Sequence, residues 1–113
     1  MPNFKIDLLE EASTFLDNLD EKTKEKIFYN MRKSQIVNDD ELFKKLNEFI
    51  WEFRTLYSGK AYRLFAFWDK TTENETVVIG THAILKKTQK TPPKEIKKAE
   101  EIRKQYLANK ENT

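Results

Sequence analysis

Two arginines and a run of cations are the groups in this chain best suited to chemistry. Arg54 stands in Trp51-Glu52-Phe53-Arg54, Arg63 in Tyr62-Arg63-Leu64, and Lys86-Lys87 in the run from His82 to Pro93. Guanidinium groups grip phosphate oxygens as a planar fork, ammonium groups as point charges. Set on rigid strands, such groups can hold an RNA backbone and offset charge developing on a phosphorus under attack. RNA cleavage asks for little else, because the ribose 2′-OH beside the scissile phosphate is the nucleophile. The protein must align the two, remove one proton, deliver another to the 5′-oxygen and stabilise the phosphorane.

Each candidate also has a plainer role. Arg54 and Arg63 are expected on neighbouring strands and one sheet face, where they would repel unless an anion or Glu52 lay between them. A surface Arg–Glu pair accounts for them equally well. Lys86 and Lys87 follow the last strand and can border the same face, binding phosphate or moving a proton if crowding lowers a pKa. His82 is the one side chain that ordinarily titrates near neutrality. Strand alternation groups it with Val78, Gly80 and Ile84, so it is either an acid or base or a hydrogen-bonded core residue. Tyr57 and Tyr62 can stack on bases or simply pack the core.

Other chemistries find no support in the sequence. It has no nucleophile elbow, phosphate-binding glycine loop, zinc signature or dinucleotide fingerprint, and no cysteine. With a single histidine, neither a metal centre nor a cofactor is expected. Asn38-Asp39-Asp40 lacks the spacing of a calcium loop and is expected to be a capping turn. The N-terminus does not resemble a signal peptide and no apolar run reaches membrane-spanning length. A cytoplasmic protein without a membrane partner is expected. The net charge is +2, yet it is unevenly spread along the chain. Residues 1–48 carry 8 Lys/Arg and 11 Asp/Glu, residues 49–85 carry 4 and 4, and residues 86–113 carry 9 and 4. The basic C-terminal quarter is either a polyanion-binding surface or a solvated helix face.

The elements that must position these groups follow from periodicity. Leu8, Leu9, Ala12, Phe15, Leu16 and Leu19 form one helical stripe. Asp20 caps a second helix, with Ile27, Phe28 and Met31 inward. A short helix is expected to carry Leu42, Phe43 and Leu46. Residues 50–57 then alternate, Ser58-Gly59 supplies a tight turn, residues 61–68 return, and residues 76–85 make a third strand. Phe4 to Asp7 is a candidate edge strand. Thr91-Pro92-Pro93 starts a final helix whose stripe is Ile96, Ala99, Ile102, Tyr106 and Leu107. The expectation is a single α+β domain over residues 1–113. Its N-terminal helical hairpin packs on a twisted antiparallel sheet of three to four strands, followed by a C-terminal helix.

Over residues 42–107 the chain resembles the HigB/RelE-type toxins of bacterial type II toxin–antitoxin pairs, specifically their phage-derived subgroup. The similarity rests on Trp51-Glu52-Phe53-Arg54, Tyr62-Arg63-Leu64 and, above all, the Lys-Lys-Thr-Gln-Lys-Thr-Pro core of residues 86–92. Ala83-Ile84 stands where the subgroup usually has Gly-Phe. The resemblance implies an mRNA endonuclease, often ribosome-associated, neutralised by a helix-turn-helix antitoxin of the HigA type. It places Arg54 and Arg63 on the catalytic sheet face with Lys86 and Lys87 at its edge. The expected catalytic set is Arg54, Arg63, Lys87 and His82, and the expected RNA contacts are Lys60, Lys86, Lys90 and Lys94. A non-catalytic RNA- or protein-binding module on the same scaffold is the alternative.

Overall fold

The computed structural model describes residues 3–87 and 90–111. The chain opens with a short strand, β1 (Lys5–Leu8), followed by α1 (Glu10–Asp17) and α2 (Glu21–Ser34). Strands β2 (Phe43–Lys45), β3 (Ile50–Tyr57), β4 (Lys60–Asp69) and β5 (Val77–Lys86) come next, and α3 (Pro93–Glu111) is last. The strands form one sheet in the order β1-β5-β4-β3-β2. β1 runs parallel to β5, and the other neighbours are antiparallel.

The fold is α+β, with two differences from expectation. A strand precedes the helices, and the sheet is mixed and five-stranded rather than antiparallel with three to four strands. The helix expected around residues 42–46 is instead a turn followed by β2. The Asp39 carboxylate accepts the Glu41 N–H at 2.9 Å, which closes the turn. Phe43 then stacks on Phe53 at 4.2 Å between ring centroids, contact that a paired strand provides. Asp20 does cap α2, its carboxylate accepting the Thr23 N–H at 3.1 Å and hydroxyl at 2.7 Å.

Each sheet face buries a separate apolar cluster. Phe53, Tyr62, Leu64, Ala66 and Val78 pack under the α1–α2 hairpin against Leu16, Ile27 and Met31. Ile50, Phe65, Phe67, Val77 and Ile79 pack under α3 against Ile96, Ala99 and Tyr106. Two backbone features fix the alignment of the second face. Ser58 and Gly59 both take positive φ, 52° and 74°, the conformation that matches a two-residue hairpin to strand twist. That turn pairs Tyr57 with Lys60 and so sets Arg54 directly opposite Arg63. A bulge then interrupts β5: Leu64 pairs with Ala83 but Ala66 pairs with Gly80, leaving Thr81 and His82 beside Phe65. The extra residue reverses the alternation, so Ile84 packs in the α3 cluster whereas Val78 packs under the hairpin. The expected grouping of His82 with Val78 fails for this reason.

Candidate functional site

The register stacks three rows of side chains across the α3 face. Glu52, Phe65 and the bulge residue His82 form the first, Arg54, Arg63 and Ile84 the second, and Leu56, Ala61 and Lys86 the third. α3 covers the rows toward the far end of the sheet and begins level with the first. There the Thr91 hydroxyl donates to Glu52 Oε1 at 2.9 Å. Beyond it the buried or half-buried second row and the more exposed third row border an open groove of about 570 Å³ lined by Arg54, Leu56, Ala61, Arg63, Lys86 and Lys87.

Glu52 is the hub of this arrangement. It is 2% exposed. Its Oε2 lies 3.5 Å from Arg54 Nε and 3.6 Å from Arg63 Nε, so one carboxylate is shared by two guanidiniums. These are ion pairs without hydrogen bonds. Both Nε–H groups are buried and make no hydrogen bond among the described residues. Each lies just beyond hydrogen-bond length of the same Glu52 oxygen, so the buried carboxylate offsets both guanidinium charges from the sheet side. The outer nitrogens bind locally: Arg54 Nη1 donates to the Asp40 carbonyl at 3.4 Å and Arg63 Nη1 to the Tyr62 carbonyl at 3.0 Å.

Charge accumulates around the pair. Burial pushes the Arg63 pKa below its usual value, Glu52 opposing and Arg54 adding to the shift. Lys86 is likewise lowered by burial and by Arg63, with Glu52 opposing and Arg54 and Lys44 adding. Lys44 was not anticipated. It pairs with Glu52 across β2 and β3, so a residue of the acidic segment 1–48 joins the cationic face.

The remaining candidates fall in several places. Lys87 is exposed at the rim of the groove. Lys60 alternates with Tyr62 on β4, and its charge acts on Asp20 at the start of α2, away from the arginines. Lys90 is exposed in the connection to α3, and Lys94 is exposed on the first turn of that helix. Thr88 and Gln89 of the motif lie outside the described residues. Tyr62 is buried in the hairpin-side core and Tyr57 is half-buried.

His82 is 1% exposed and stacks on Phe65 at 4.8 Å. Its Nδ1 is 3.0 Å from the Thr81 hydroxyl and its Nε2 is 3.2 Å from Glu95 Oε1 on α3. Burial and the Lys98 charge lower its pKa, with Glu95 opposing. Nε2 carries the proton it donates to Glu95, and Nδ1 lies beside the Thr81 hydroxyl, which itself donates to the Phe65 carbonyl at 3.3 Å. This pins the first turn of α3 to the bulge.

The C-terminal quarter spends part of its positive charge within the fold. Lys98 pairs with Glu11, and Lys110 pairs with Asp69 at 2.7 Å. The sequence allowed Glu52 to lie between the two arginines, as it does, or to be a surface partner, but did not show that it is buried. Its position on one face with Arg54 was legible from alternation, but its burial depends on Thr91, 39 residues away.

Among the described residues no group of three or more His, Cys, Asp or Glu gathers as a metal site, and no helix is long and apolar enough to cross a membrane. No curated protein matches the chain. A family model described as "Phage derived protein Gp49-like (DUF891)" matches residues 14–104, spanning both arginines, Glu52 and α3 as far as Lys104. The chain therefore belongs to the phage-derived Gp49-like family, a family of the RelE/HigB-like toxin type.

Proposed function

We propose that this protein is the toxin of a toxin–antitoxin pair and acts as a metal-independent endoribonuclease on mRNA in the cytoplasm. One observation carries the reading: Arg54 and Arg63 face each other across β3 and β4 and line an open groove together with Lys86 and Lys87. A phosphate settling there would accept from both guanidiniums and relieve their mutual repulsion. The 2′-oxygen attacks the adjacent phosphorus, an O2′–P bond forms and the P–O5′ bond breaks. The products are a 2′,3′-cyclic phosphate and a 5′-OH end. Arg54 and Arg63 stabilise the extra charge of the phosphorane.

The 2′-OH gives up its proton to solvent water in the open groove, and the 5′-oxygen must receive one. Lys86 lines the groove beside Arg63 and is the lysine suited to that transfer, since burial and then the Arg63 charge weaken its hold on its proton. Lys87 serves the strand at the rim. Glu52 holds the arginines in position, and His82 holds α3. A ribosome-bound message is the preferred substrate on this reading, and an antitoxin of the helix-turn-helix type would neutralise the protein by covering the groove.

The test is induced expression followed by mapping of mRNA ends. Wild-type protein should arrest growth and generate new 5′-OH ends. Arg54→Ala combined with Arg63→Ala should abolish both while leaving the circular dichroism spectrum unchanged. Full arrest by the double variant would sink the catalytic assignment. Arrest without new ends would favour a non-catalytic binding module.

A further inference from the structure

A second cleft, of about 360 Å³, lies at the opposite end of the sheet from the arginines. Phe49, Trp51 and Trp68 supply its aromatic walls, and Lys45, Lys70 and Arg103 supply its cations. Trp51 and Trp68 meet edge to face at 5.9 Å. The Arg103 guanidinium lies 3.8 Å from the centre of the Phe49 ring, which is 42% exposed. The loop bearing Phe49 is held in place. The Asn47 side chain accepts the N–H groups of Phe49 and Ile50 at 3.1 and 2.8 Å. It also donates to Glu100 on α3 at 3.4 Å.

We propose that this cleft binds one unpaired nucleotide of an RNA strand, the base against the aromatic walls and the phosphate on the surrounding cations. The size suits a small ligand rather than a helix or strand of a protein partner. The charge is selective too, three cations against one carboxylate, Glu48. Flat aromatic faces beside guanidinium are the usual platform for single-stranded nucleic acid. β2 connects the cleft to the arginine groove. Lys45 lines the cleft, while its neighbour Lys44 alternates onto the groove face opposite Glu52. Along β4 the two sites lie roughly 17 Å apart by strand rise, from Arg63 to Trp68. The proposal rests on the RNA reading of the groove and extends it: the cleft would anchor a nucleotide distant from the one being cleaved.

The chain has two tryptophans and both line the cleft, so intrinsic fluorescence reports on it directly. The full-length protein is titrated with adenosine monophosphate and with a short single-stranded deoxyoligonucleotide, which has no 2′-OH and cannot be cleaved. Saturable quenching by both is expected. Arg103→Ala combined with Lys70→Ala, two changes on the outside of the fold, should weaken binding by about tenfold or more. Arg54→Ala combined with Arg63→Ala should leave the mononucleotide titration unaltered, even if cleavage activity proves absent from the wild type. No quenching by either ligand in the wild-type protein overturns the proposal. So does equal quenching by an acidic peptide, which would make the cleft a seat for a protein partner.

Discussion

Guanidiniums placed directly opposite one another repel, and in a partly dry setting that repulsion amounts to several kcal/mol. Arg54 and Arg63 tolerate the arrangement because the Glu52 carboxylate lies within 3.6 Å of both. Glu52→Gln keeps the shape and the Thr91 contact but removes the compensating charge. The expected result is a loss of about 2 kcal/mol, below the range for breaking a fully buried pair because Arg54 is partly solvated. Inorganic phosphate should restore more of the melting temperature in the variant than in the wild type, since it would supply the missing anion. Thermal melts with and without phosphate check this, and equal responses would show that no anion enters the groove. Lys86 makes a second case at this scale. Lys86→Met should lower cleavage by about a hundredfold and Lys87→Met by only a few fold. Because a donor must be protonated, wild-type activity should fall as pH rises through the Lys86 pKa, which is held below its ordinary value. A pH–rate profile with the same alkaline limb in Lys86→Met would rule Lys86 out as the donor.

At the scale of elements, α3 is the part that turns a basic sheet face into a defined groove, and it is fastened at both ends. His82 and Glu95 hold its first turn. The buried Asp69 carboxylate holds its last, accepting from the Tyr106 hydroxyl at 2.6 Å and from Lys110 at 2.7 Å. Those two bonds, with two from Thr71, keep Asp69 well below the usual carboxylate range despite its burial. Asp69→Ala leaves the Tyr106 hydroxyl without its partner and should cost about 2 kcal/mol. Hydrogen exchange should show the C-terminal half of α3 opening first; uniform destabilisation would deny the fastening role. The His82 end adds a pH dependence. Its folded pKa is below the ordinary value of 6.5, so the unfolded chain binds the extra proton first. Its contribution is complete above pH 6.5 and is lost as pH falls through the folded value. His82→Gln should flatten stability between pH 7 and 5, measured by urea denaturation. Much of this framework was legible in the sequence. Helical stripes marked α1, α2 and α3, although Leu8 of the first stripe belongs to β1 and α1 ends at Asp17, and Ser58-Gly59 marked the hairpin that brings Arg54 to Arg63. Two elements were hidden for physical reasons. β2 has three residues, too few for any period to show, and is a strand because Phe43 finds Phe53. The bulge at Thr81 and His82 changes parity, and the one local sign of it is the neighbouring Gly80, which on its own gives neither the presence nor the direction of the shift.

For the molecule as a whole, charge counted along the chain misplaces the cationic surface. Residues 1–48 are acidic overall yet contribute Lys44 and Lys45, while the basic C-terminal helix commits Lys98 and Lys110 to ion pairs within the molecule. What matters for a polyanion is which cations share a continuous path. Binding of single-stranded nucleic acid releases counterions, and the logarithm of affinity falls with the logarithm of salt by about 0.7 per phosphate neutralised. A strand held only by Arg54, Arg63, Lys86 and Lys87 should therefore give a slope of about −3. A strand that continues past Lys44 and Lys45 to Lys70 and Arg103 should give a slope of about −6. The steeper value is expected for an oligonucleotide long enough to span both sites, and the shallower one for a trinucleotide. Neutralising Lys45, Lys70 and Arg103 together should bring the long ligand's slope most of the way to the short one's without changing the trinucleotide result. Fluorescence anisotropy across a salt series makes the measurement with an uncleavable deoxy strand. A slope near −3 for every length would confine the nucleic acid to the arginine groove and leave the β2 lysines as ordinary solvated charges.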